Sequence, residues 1–429
     1  MGEAVLTSVA ATRDAVVARS NTWRWSVVAL CTLASIIAYV DRVNLSVAII
    51  DADFKQVFAL SNTDRGLVNS AFFWSYAALQ IPAGWLVDRY GSKLPLAISF
   101  VIWSIVSAAT AMASGFTELF TLRFLLGAGE SPMHPASMRW IRYHFNESER
   151  GLAIGVFMSG SKYGPALGTL VAAWLIQSYG WRAMFMVLGV GSLLWLIPWM
   201  MTVENDRGQV TSNAGGASTD TPTMPFGRLM ASPVLWGTII GTFCYMYFVY
   251  FCLTWMPAYL NEARHLSLSS SSLYTTFSFA GMATVGIIGG FAADRLIARG
   301  YDAINVRKGF TIAGFLIAST ELIGARSSSL EVALFFSVFS LSGLGLATAN
   351  YWALTQTLIP RGAIGKIVGI QNCAASLPGI VAPILTGWLV QQTGGYEASM
   401  NAVWVFLLLG IGSYLFLVRR RYAPAPLSA

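Results

Sequence analysis

Charged residues are scarce in this sequence of 429 residues: Asp, Glu, Lys and Arg make up 11% of it, whereas 55% is hydrophobic. The mean hydropathy is correspondingly high, at +0.59. Soluble globular domains carry about 25% charged residues, so this composition excludes a water-soluble protein. We therefore expect lipid to be the main solvent of the chain.

Cysteine and histidine are also rare, with 4 and 3 copies. The cysteines lie inside hydrophobic runs without metal or redox spacing, which argues against a disulfide framework. The hydrophobic runs contain neither a metal-binding His/Cys/Asp spacing nor a nucleophile paired with a base, which argues against a membrane-embedded enzyme. We predict no metal and no organic cofactor.

Long hydrophobic runs are abundant. A bilayer core of ~30 Å needs about 20 helical residues, and lipid offers no partner for an open backbone. The sequence therefore predicts an all-α integral membrane protein. We place twelve transmembrane spans, at residues 25–50, 66–87, 95–114, 118–140, 151–177, 183–203, 233–260, 272–297, 309–325, 330–356, 366–391 and 398–418.

The net charge of +7 does not indicate nucleic-acid binding, because Lys and Arg are not clustered on one solvated face. Most lie in alternate loops, and positive charge favours the cytoplasmic side of a membrane. The pattern predicts an inner (plasma) membrane protein of bacterial type with both termini cytoplasmic. The predicted outer segments hold only Lys55, Arg65, Arg182, Arg264 and Arg326.

One polar stretch, from Glu204 to about Pro225, separates six spans from six and has the composition of a flexible linker. The predicted units are a tail at 1–23, six-helix bundles at 24–203 and 232–419, a linker at 204–231 and a tail at 420–429.

Two loop motifs recur in both halves. GWLVDRYGSK (84–93) is echoed by GFAADRLIARG (290–300), and ERGLAIG (149–155) by PRGAIGKIVG (360–369). A tight cytoplasmic turn explains a single copy equally well, but two matched pairs favour duplication. Parallel six-helix repeats are typical of transporters that bind substrate between the halves.

The first of these loops, with Gly84, Asp88, Arg89, Gly91 and Lys93 in the pattern GxxxDRxGxK, resembles the signature of the major facilitator superfamily. The resemblance covers roughly residues 24–419 and implies alternating access. The loop would then act as a gate that closes the cytoplasmic side in the outward-facing state. We expect a helix N-terminus of the opposite half to favour the Asp88 carboxylate.

Two further motifs resemble the anion:cation symporter family within that superfamily: YVDRVNLSVA (39–48) and RFLLGAGESP (123–132). Members of that family carry sugar acids and other carboxylates. The resemblance implies a proton-coupled importer of a small organic anion, and we expect a monomer. Two alternatives remain open, an exporter of the same fold and a membrane sensor that binds an anion without moving it.

Five ionisable residues lie within the predicted spans: Asp41, Arg42, Arg123, Glu130 and Lys162. A charge at bilayer depth costs at least ~2.5–3.5 kcal/mol and therefore usually faces a partner or a water-filled path. Counting along the helices places Asp41 and Arg123 ~13 and ~8 Å below the outer face and Glu130 ~10 Å deeper than Arg123. Asp41 and Arg123 are predicted to form an outer pair.

Arg42 is the strongest substrate-binding candidate, because its planar guanidinium stays charged and matches a carboxylate with two hydrogen bonds. Tyr39, one turn earlier on its face, would add a hydroxyl. By resemblance, Asp41 and Glu130 are the proton-coupling acids and Arg123 a partner that moves between them. The alternative is a set of static salt bridges between spans 1 and 4, although buried pairs often add little stability.

Lys162 lies near mid-depth in span 5, where it would bind a second acidic group of the substrate. A bridge to Glu130 or snorkelling towards water explains it equally well. His134, one turn after Glu130, would either relay protons or bond a carbonyl freed by Pro135. By resemblance, Tyr76, Trp352 and Asn372 contact the anion, whereas single aromatics in membrane helices are more often packing residues.

Overall fold

A computed structural model describes residues 21–204, 227, 230–358 and 364–422. The predicted tails and linker lie largely outside these residues, as does the start of the PRGAIGKIVG loop. The described residues form helices and turns and contain no β-strand. Their order follows the predicted spans closely.

The first half contains spans 1 to 6. The helices are α1 (Asn21–Ala48), α2 (Ala52–Phe58), α3 (Asn62–Tyr90), α4 (Lys93–Ala109), α5 (Phe116–Glu130), α6 (Met133–His144), α7 (Glu147–Ser192) and α8 (Leu196–Thr202). Spans 1, 2 and 3 are α1, α3 and α4, and span 4 is α5 with α6. A break at Gly180 (φ 84°) divides α7 into span 5 and the start of span 6.

The second half contains spans 7 to 12. The helices are α9 (Pro233–Ala258), α10 (Leu268–Ala298), α11 (Ala303–Ser319), α12 (Glu321–Arg326), α13 (Leu330–Leu358), α14 (Ile364–Ser376), α15 (Pro378–Thr393) and α16 (Glu397–Phe416). Span 7 is α9, which is followed by a π-helical turn at Tyr259–Ala263, and span 8 is α10. Span 9 is α11 with α12, span 10 is α13, span 11 is α14 with α15, and span 12 is α16.

Length and apolar composition alone pick out eight membrane-spanning helical segments among the described residues. One of them, Glu149–Thr202, holds two crossings because of the break at Gly180. Spans 2, 4 and 9 do not meet this criterion. Span 2 is a single helix with a more polar composition than the eight segments, whereas spans 4 and 9 are each divided into two shorter helices. With those three spans the count is the predicted twelve.

Helix ends follow local chemistry. The Ser61 side chain accepts from the Asp64 backbone N–H while the Asp64 carboxylate accepts from the Ser61 N–H, so span 2 starts with a capping box. The same span ends at Gly91 with φ 83°, a conformation that glycine adopts without steric cost. The glycine of the loop signature is therefore needed to turn the chain into span 3.

The two halves are bonded at one end of the molecule, which we call the closed end; the other, which holds Asn21 and Tyr422, is the terminal end. At the closed end, Ser46 Oγ donates to the Leu253 carbonyl (2.8 Å) and the Asn62 N–H to Gln391 Oε1 (3.1 Å). Between described residues, no hydrogen bond or ion pair joins the halves at the terminal end.

Span 1 rests on a row of three glycines in span 5. Gly160, Gly164 and Gly168 are spaced by four residues and so share one helix face. A Cβ atom at Gly164 would lie 2.5 Å from Tyr39 Cβ, and one at Gly168 would lie 2.8 Å from Val40 Cα. Small residues at such spacing let membrane helices approach closely, so this row sets the position of Tyr39.

Gly164→Ala is expected to destabilise the protein by about 1–3 kcal/mol, because the added methyl group overpacks the span 1 contact. Thermal unfolding of purified protein in detergent would show this as a lower melting temperature. Gly155→Ala is the matched control on the same helix, since no atom of the described residues lies within 4 Å of a Cβ atom there. Equal melting temperatures for the two variants would contradict the packing argument.

Candidate functional site

Arg42 and Glu130 form a buried ion pair between spans 1 and 4. Arg42 Nε donates to Glu130 Oε2 at 2.8 Å, and Nη2 lies 2.8 Å from the same oxygen. Glu130 is 0% exposed and Arg42 6%. Among the described residues, Glu130 Oε1 has no hydrogen-bond donor, so half of this carboxylate is unused.

Two glycines before Glu130 bring span 4 close to its neighbours. A Cβ at Gly127 would overlap the Phe72 backbone of span 2, and one at Gly129 would lie 3.0 Å from Trp103 Cβ of span 3. Glu130 itself is the last residue of α5, and the chain resumes as α6 at Met133. The GAGE sequence thus places a carboxylate at a helix interruption.

Three aromatic rings surround the Arg42 guanidinium. Its Cζ atom lies 4.4 Å from the ring centre of Tyr39, 4.7 Å from that of Phe72 and 4.7 Å from that of Tyr76. Phe72 and Tyr76 stack at 5.3 Å. Ring faces attract a cation and exclude water, so the pair is held in a medium where charge interactions are strong.

Asp41 lies in a second polar cluster beside this pair. Its Oδ1 atom accepts from Ser107 Oγ at 2.6 Å and from Asn44 Nδ2 at 3.3 Å. The residue is 1% exposed, and Oδ2 has no donor among the described residues. Within the part of the chain that the structure describes, each of the two acids therefore keeps one oxygen free of hydrogen bonds.

Arg123 contacts this cluster differently from the prediction. Its Nη1 donates to the Asp41 backbone carbonyl and its Nη2 to Asn44 Oδ1, both at 2.8 Å. No ion pair joins the two side chains in the described structure, because the Asp41 carboxylate accepts from hydroxyl and amide donors instead. The predicted outer pair is thus an indirect contact in this conformation.

Lys162 is half-buried at the interface between the halves. Its Nζ lies 5.8 Å from the ring centre of Tyr245 in span 7, whose hydroxyl is 2.7 Å from Thr348 Oγ1. Among the described residues Lys162 has no ion pair within 4 Å, so the alternative bridge to Glu130 is not formed. His134 is half-buried, with its ring 5.3 Å from that of Phe157.

Two buried amide side chains in the second half have an oxygen that can still accept a hydrogen bond. Gln371 Nε2 donates to Thr242 Oγ1 and Asn350 Nδ2 to the Leu346 carbonyl, both at 2.8 Å. Gln371 Oε1 and Asn350 Oδ1 are buried and have no donor among the described residues.

The two second-half residues singled out by resemblance differ in exposure. Trp352 is half-buried beside the Tyr351 ring at 5.4 Å, and Asn372 is exposed.

The signature loop at the terminal end makes contacts within its own half. Asp88 Oδ1 accepts from Arg139 Nη1 at 3.1 Å, and Lys93 Nζ donates to the Met200 carbonyl at 2.9 Å. Arg89 lies over the Trp85 ring at 5.3 Å. The Asp88 side chain is 75% exposed, and its ion pair is with span 4 rather than with the opposite half.

Among the described residues, no atom lies within 4 Å of a Cβ atom placed at Gly84 in the same loop.

A sequence model described as the Major Facilitator Superfamily matches residues 31–383. The chain belongs to the Major Facilitator Superfamily. The match reaches from span 1 into span 11 and so includes the signature loop and both charged motifs. It confirms the predicted superfamily and two-bundle fold, and makes this multi-pass membrane protein a transporter and not an enzyme.

Curated relatives of this superfamily member have similar length. The chain is 30% identical over 424 residues to the probable galactarate/D-glucarate transporter of Bacillus subtilis, with 92% of each chain covered. It is also 30% identical to the probable L-galactonate transporter of Escherichia coli (91% and 88% covered) and to the hexuronate transporter of Bacillus subtilis (88% and 89%). All three names describe sugar-acid transporters, in agreement with the predicted anion:cation symporter resemblance.

A solved structure supports the fold. The bacterial homologue of the human lysosomal transporter Spinster superposes with a TM-score of 0.77, covering 95% of this chain and 100% of that one. The sequence identity is 19%, so the likeness concerns the superfamily fold alone.

An ion-pair hub at the closed end of this superfamily member did not emerge from the sequence. Glu262, in the π-helical turn after span 7, lies 2.8 Å from Arg65 Nη1 and 3.0 Å from Lys55 Nζ of the other half. Tyr396 donates its hydroxyl to Glu262 Oε2 at 2.8 Å. The charged residues of the predicted outer segments indicated only how the protein is oriented in the membrane. The sequence does not show which of them lie close together across the two halves.

Glu262→Gln is expected to weaken the closed end by about 1 kcal/mol, the upper range for partly exposed ion pairs, which is ~5-fold in the equilibrium with a state open at that end. Spin labels at the exposed positions Asp53 and Gln392 would report longer distances between the halves. Glu331→Gln, an exposed acid in the first turn of span 10, is the control. Unchanged distances in Glu262→Gln would show that the hub does not hold this end.

Proposed function

We propose that this transporter imports a sugar acid or a related small organic anion together with protons, by alternating access. The observation that carries the proposal is the buried Arg42–Glu130 pair, which combines an anion-binding group with a group that can bind a proton. The names of the relatives support a sugar acid as substrate. The Arg42–Glu130 pair would couple the binding of a proton to the binding of the anion.

Coupling follows from competition for one guanidinium. While Glu130 is ionised it occupies Arg42, so a substrate carboxylate would meet a neutralised cation. A proton on Glu130 removes this partner and leaves Arg42 charged among aromatic rings, where an unpaired charge is costly. Binding of an anion then relieves that cost, and loss of the proton displaces the anion again.

Asp41 is proposed as the second proton-binding acid. Ser107 and Asn44 fix one of its oxygens, while the other is free of hydrogen bonds among the described residues. Arg123 is 2.8 Å from the Asp41 carbonyl, so a rotation of its side chain would bring it to the carboxylate. In this scheme Arg123 moves between the two acids: it compensates Asp41 when that acid is ionised, and it supplements Arg42 at Glu130.

The charge pattern of the loops supports a bacterial-type inner membrane with both termini cytoplasmic. The closed end is then the outer face, and the conformation described here is one that releases substrate inward. Gly84, Asp88, Arg89 and Lys93 would gate the cytoplasmic side when the halves rock the other way. The units at 24–203 and 232–419 would move as rigid bodies in a monomer within the bilayer, joined by the linker.

Substrate contacts are proposed from both halves. Arg42 would hold a carboxylate, flanked by Tyr39 and Tyr76, and Lys162, Trp352 and Asn372 would line the remaining volume. Gln371 and Asn350 carry spare acceptors suited to sugar hydroxyls.

Proteoliposomes test the proposed function. A radiolabelled sugar acid should accumulate under an inward proton gradient, and a protonophore should collapse that accumulation. Accumulation driven in the opposite direction would favour the exporter alternative. Label that binds but never accumulates would favour an anion sensor and overturn symport.

A further inference from the structure

A hydrophobic groove with a volume of about 460 Å³ runs along span 12 towards the terminal end. It extends from Val405, near the middle of the span, to Leu417, just past the last helical residue. A helical rise of ~1.5 Å per residue gives this stretch a length of ~18 Å, close to half of a bilayer core of ~30 Å. The groove therefore lies within a single leaflet. Its hydrophobic lining includes Ile240 of span 7 and Val405, Leu408, Leu409 and Phe416 of span 12.

The groove is open in its middle because a glycine lies there. Gly412 is part of the lining, and no atom of the described residues lies within 4 Å of a Cβ atom placed at this position. Ser413, a polar residue of the lining, donates its hydroxyl to the Gly410 carbonyl at 2.7 Å. Because this hydroxyl already has a partner, the groove is suited to a hydrocarbon chain, which offers no hydrogen bonds.

Two cations meet at the terminal end of the groove. The Cζ atom of Arg419 lies 5.8 Å from the ring centre of Phe416, a residue of the lining. Arg419 Nε and Lys308 Nζ both donate to the Leu415 carbonyl, at 2.9 and 3.5 Å. Since they share one acceptor atom, the two positive charges are neighbours. Among the described residues, the Arg419 Nη atoms make no hydrogen bond, so the outer edge of the guanidinium is available.

Other cations of this region have acid partners. Arg307 Nη2 lies 2.9 Å from Asp294 Oδ1, and Arg420 Nη1 lies 3.6 Å from Asp302 Oδ2. In the described part of the chain, no acid lies within ion-pair distance of either cation at the groove. Neighbouring charges of one sign repel each other, so an anion bound between these two cations would be stabilising.

The geometry points to a binding site for one anionic phospholipid in the leaflet on the terminal side. An acyl chain lies in the groove along Gly412, and the phosphate contacts Arg419 and Lys308. A guanidinium matches two phosphate oxygens with two hydrogen bonds, and basic pockets between membrane helices bind phospholipid head groups. Both walls of the groove belong to the second half, so the lipid stays in place when the two halves rock.

Native mass spectrometry of the purified full-length protein tests the site, with phosphatidylglycerol and phosphatidylcholine of identical acyl chains as probes. A cation next to an anionic head group contributes about 5-fold in affinity. The concentration at which half of the wild-type protein carries one lipid should therefore be at least ~10-fold lower for phosphatidylglycerol, and Arg419→Gln should reduce this preference about 5-fold.

Arg295→Gln is the matched control for Arg419→Gln. Arg295 lies in the last turn of span 8, also at the terminal end, and its Cζ atom is 5.3 Å from the ring centre of Phe291. Phe291 and Phe416 are almost equally exposed, at 63% and 64%, but Phe291 is not part of the groove. The control variant should keep the full preference for phosphatidylglycerol.

Gly412→Phe tests the acyl-chain part separately. The added ring fills the groove and leaves both cations in place, so binding of either lipid should weaken about 10-fold, the effect of losing the burial of about two methylene groups. The melting temperature of the lipid-free protein in detergent shows whether the variant is folded. If it is lowered, Gly412→Leu, with a smaller side chain, takes its place.

Three results would overturn the site. The first is equal binding of the two lipids by the wild-type protein. The second is the same loss of preference in Arg419→Gln and Arg295→Gln, because the preference would then come from the general positive charge of the terminal end. The third is unchanged binding in a folded Gly412 variant, since the acyl chain would then lie elsewhere.

Discussion

Arg42→Ala is expected to abolish transport and to weaken anion binding by at least ~30-fold. Removing one partner of a buried, hydrogen-bonded charge pair typically costs 2–5 kcal/mol, and here the same group is the proposed substrate ligand. Glu130, 0% exposed, would be left without a cation and would take up a proton. Binding measured by calorimetry and uptake in proteoliposomes would report both losses.

A double variant separates stability from function at this position. Arg42→Ala combined with Glu130→Gln removes both charges, so the protein should regain thermal stability while transport stays absent. Arg42→Lys keeps the charge but loses the planar fork, and weak residual binding is expected. Undiminished uptake in Arg42→Ala would refute the anion role and favour an exporter that works without this residue.

Glu130→Gln is expected to abolish accumulation driven by a proton gradient while exchange of labelled for unlabelled substrate continues. The neutral amide resembles the protonated acid, so Arg42 stays available to the anion but no proton is moved. Asp41→Asn should behave in the same way. Parallel assays of accumulation and counterflow in the same proteoliposomes measure the two activities separately.

Glu321→Gln supplies the matched control. Glu321 is also buried, at 4% exposed, but it accepts hydrogen bonds only from Ser337 (3.2 Å) and Ser340 (2.5 Å) among the described residues. It lies in the second half, away from Arg42, so its loss should leave gradient-driven accumulation intact. Full accumulation in both Glu130→Gln and Asp41→Asn would disprove the proton assignment.

The fold was predictable because bilayer thickness sets helix length. Span 7, predicted at 233–260, is observed as Pro233–Ala258 with a further π-helical turn. Asp41, Arg42 and Glu130 were predictable as candidates because charges at bilayer depth are rare and costly. Each of these signals depends on composition and spacing along the chain alone.

The partners of these residues were less predictable, because side-chain pairing depends on how neighbouring helices are spaced and rotated against each other. Arg123 bonds the Asp41 carbonyl and not its carboxylate, and Asp88 pairs with Arg139 of its own half. Ser107 gave no signal, because it is one of several hydroxyl residues in span 3 and the sequence does not single it out. Glu321 lies near the predicted end of span 9, where a charge normally reaches water.

The glycine row in span 5 has a mechanical consequence. Because no side chain separates Gly160, Gly164 and Gly168 from span 1, the two helices cannot slide past each other without a backbone collision. Spans 1 and 5 would therefore tilt together when the first half rocks, so the backbones of Arg42 and Lys162 would keep their relative positions on both sides of the transport cycle.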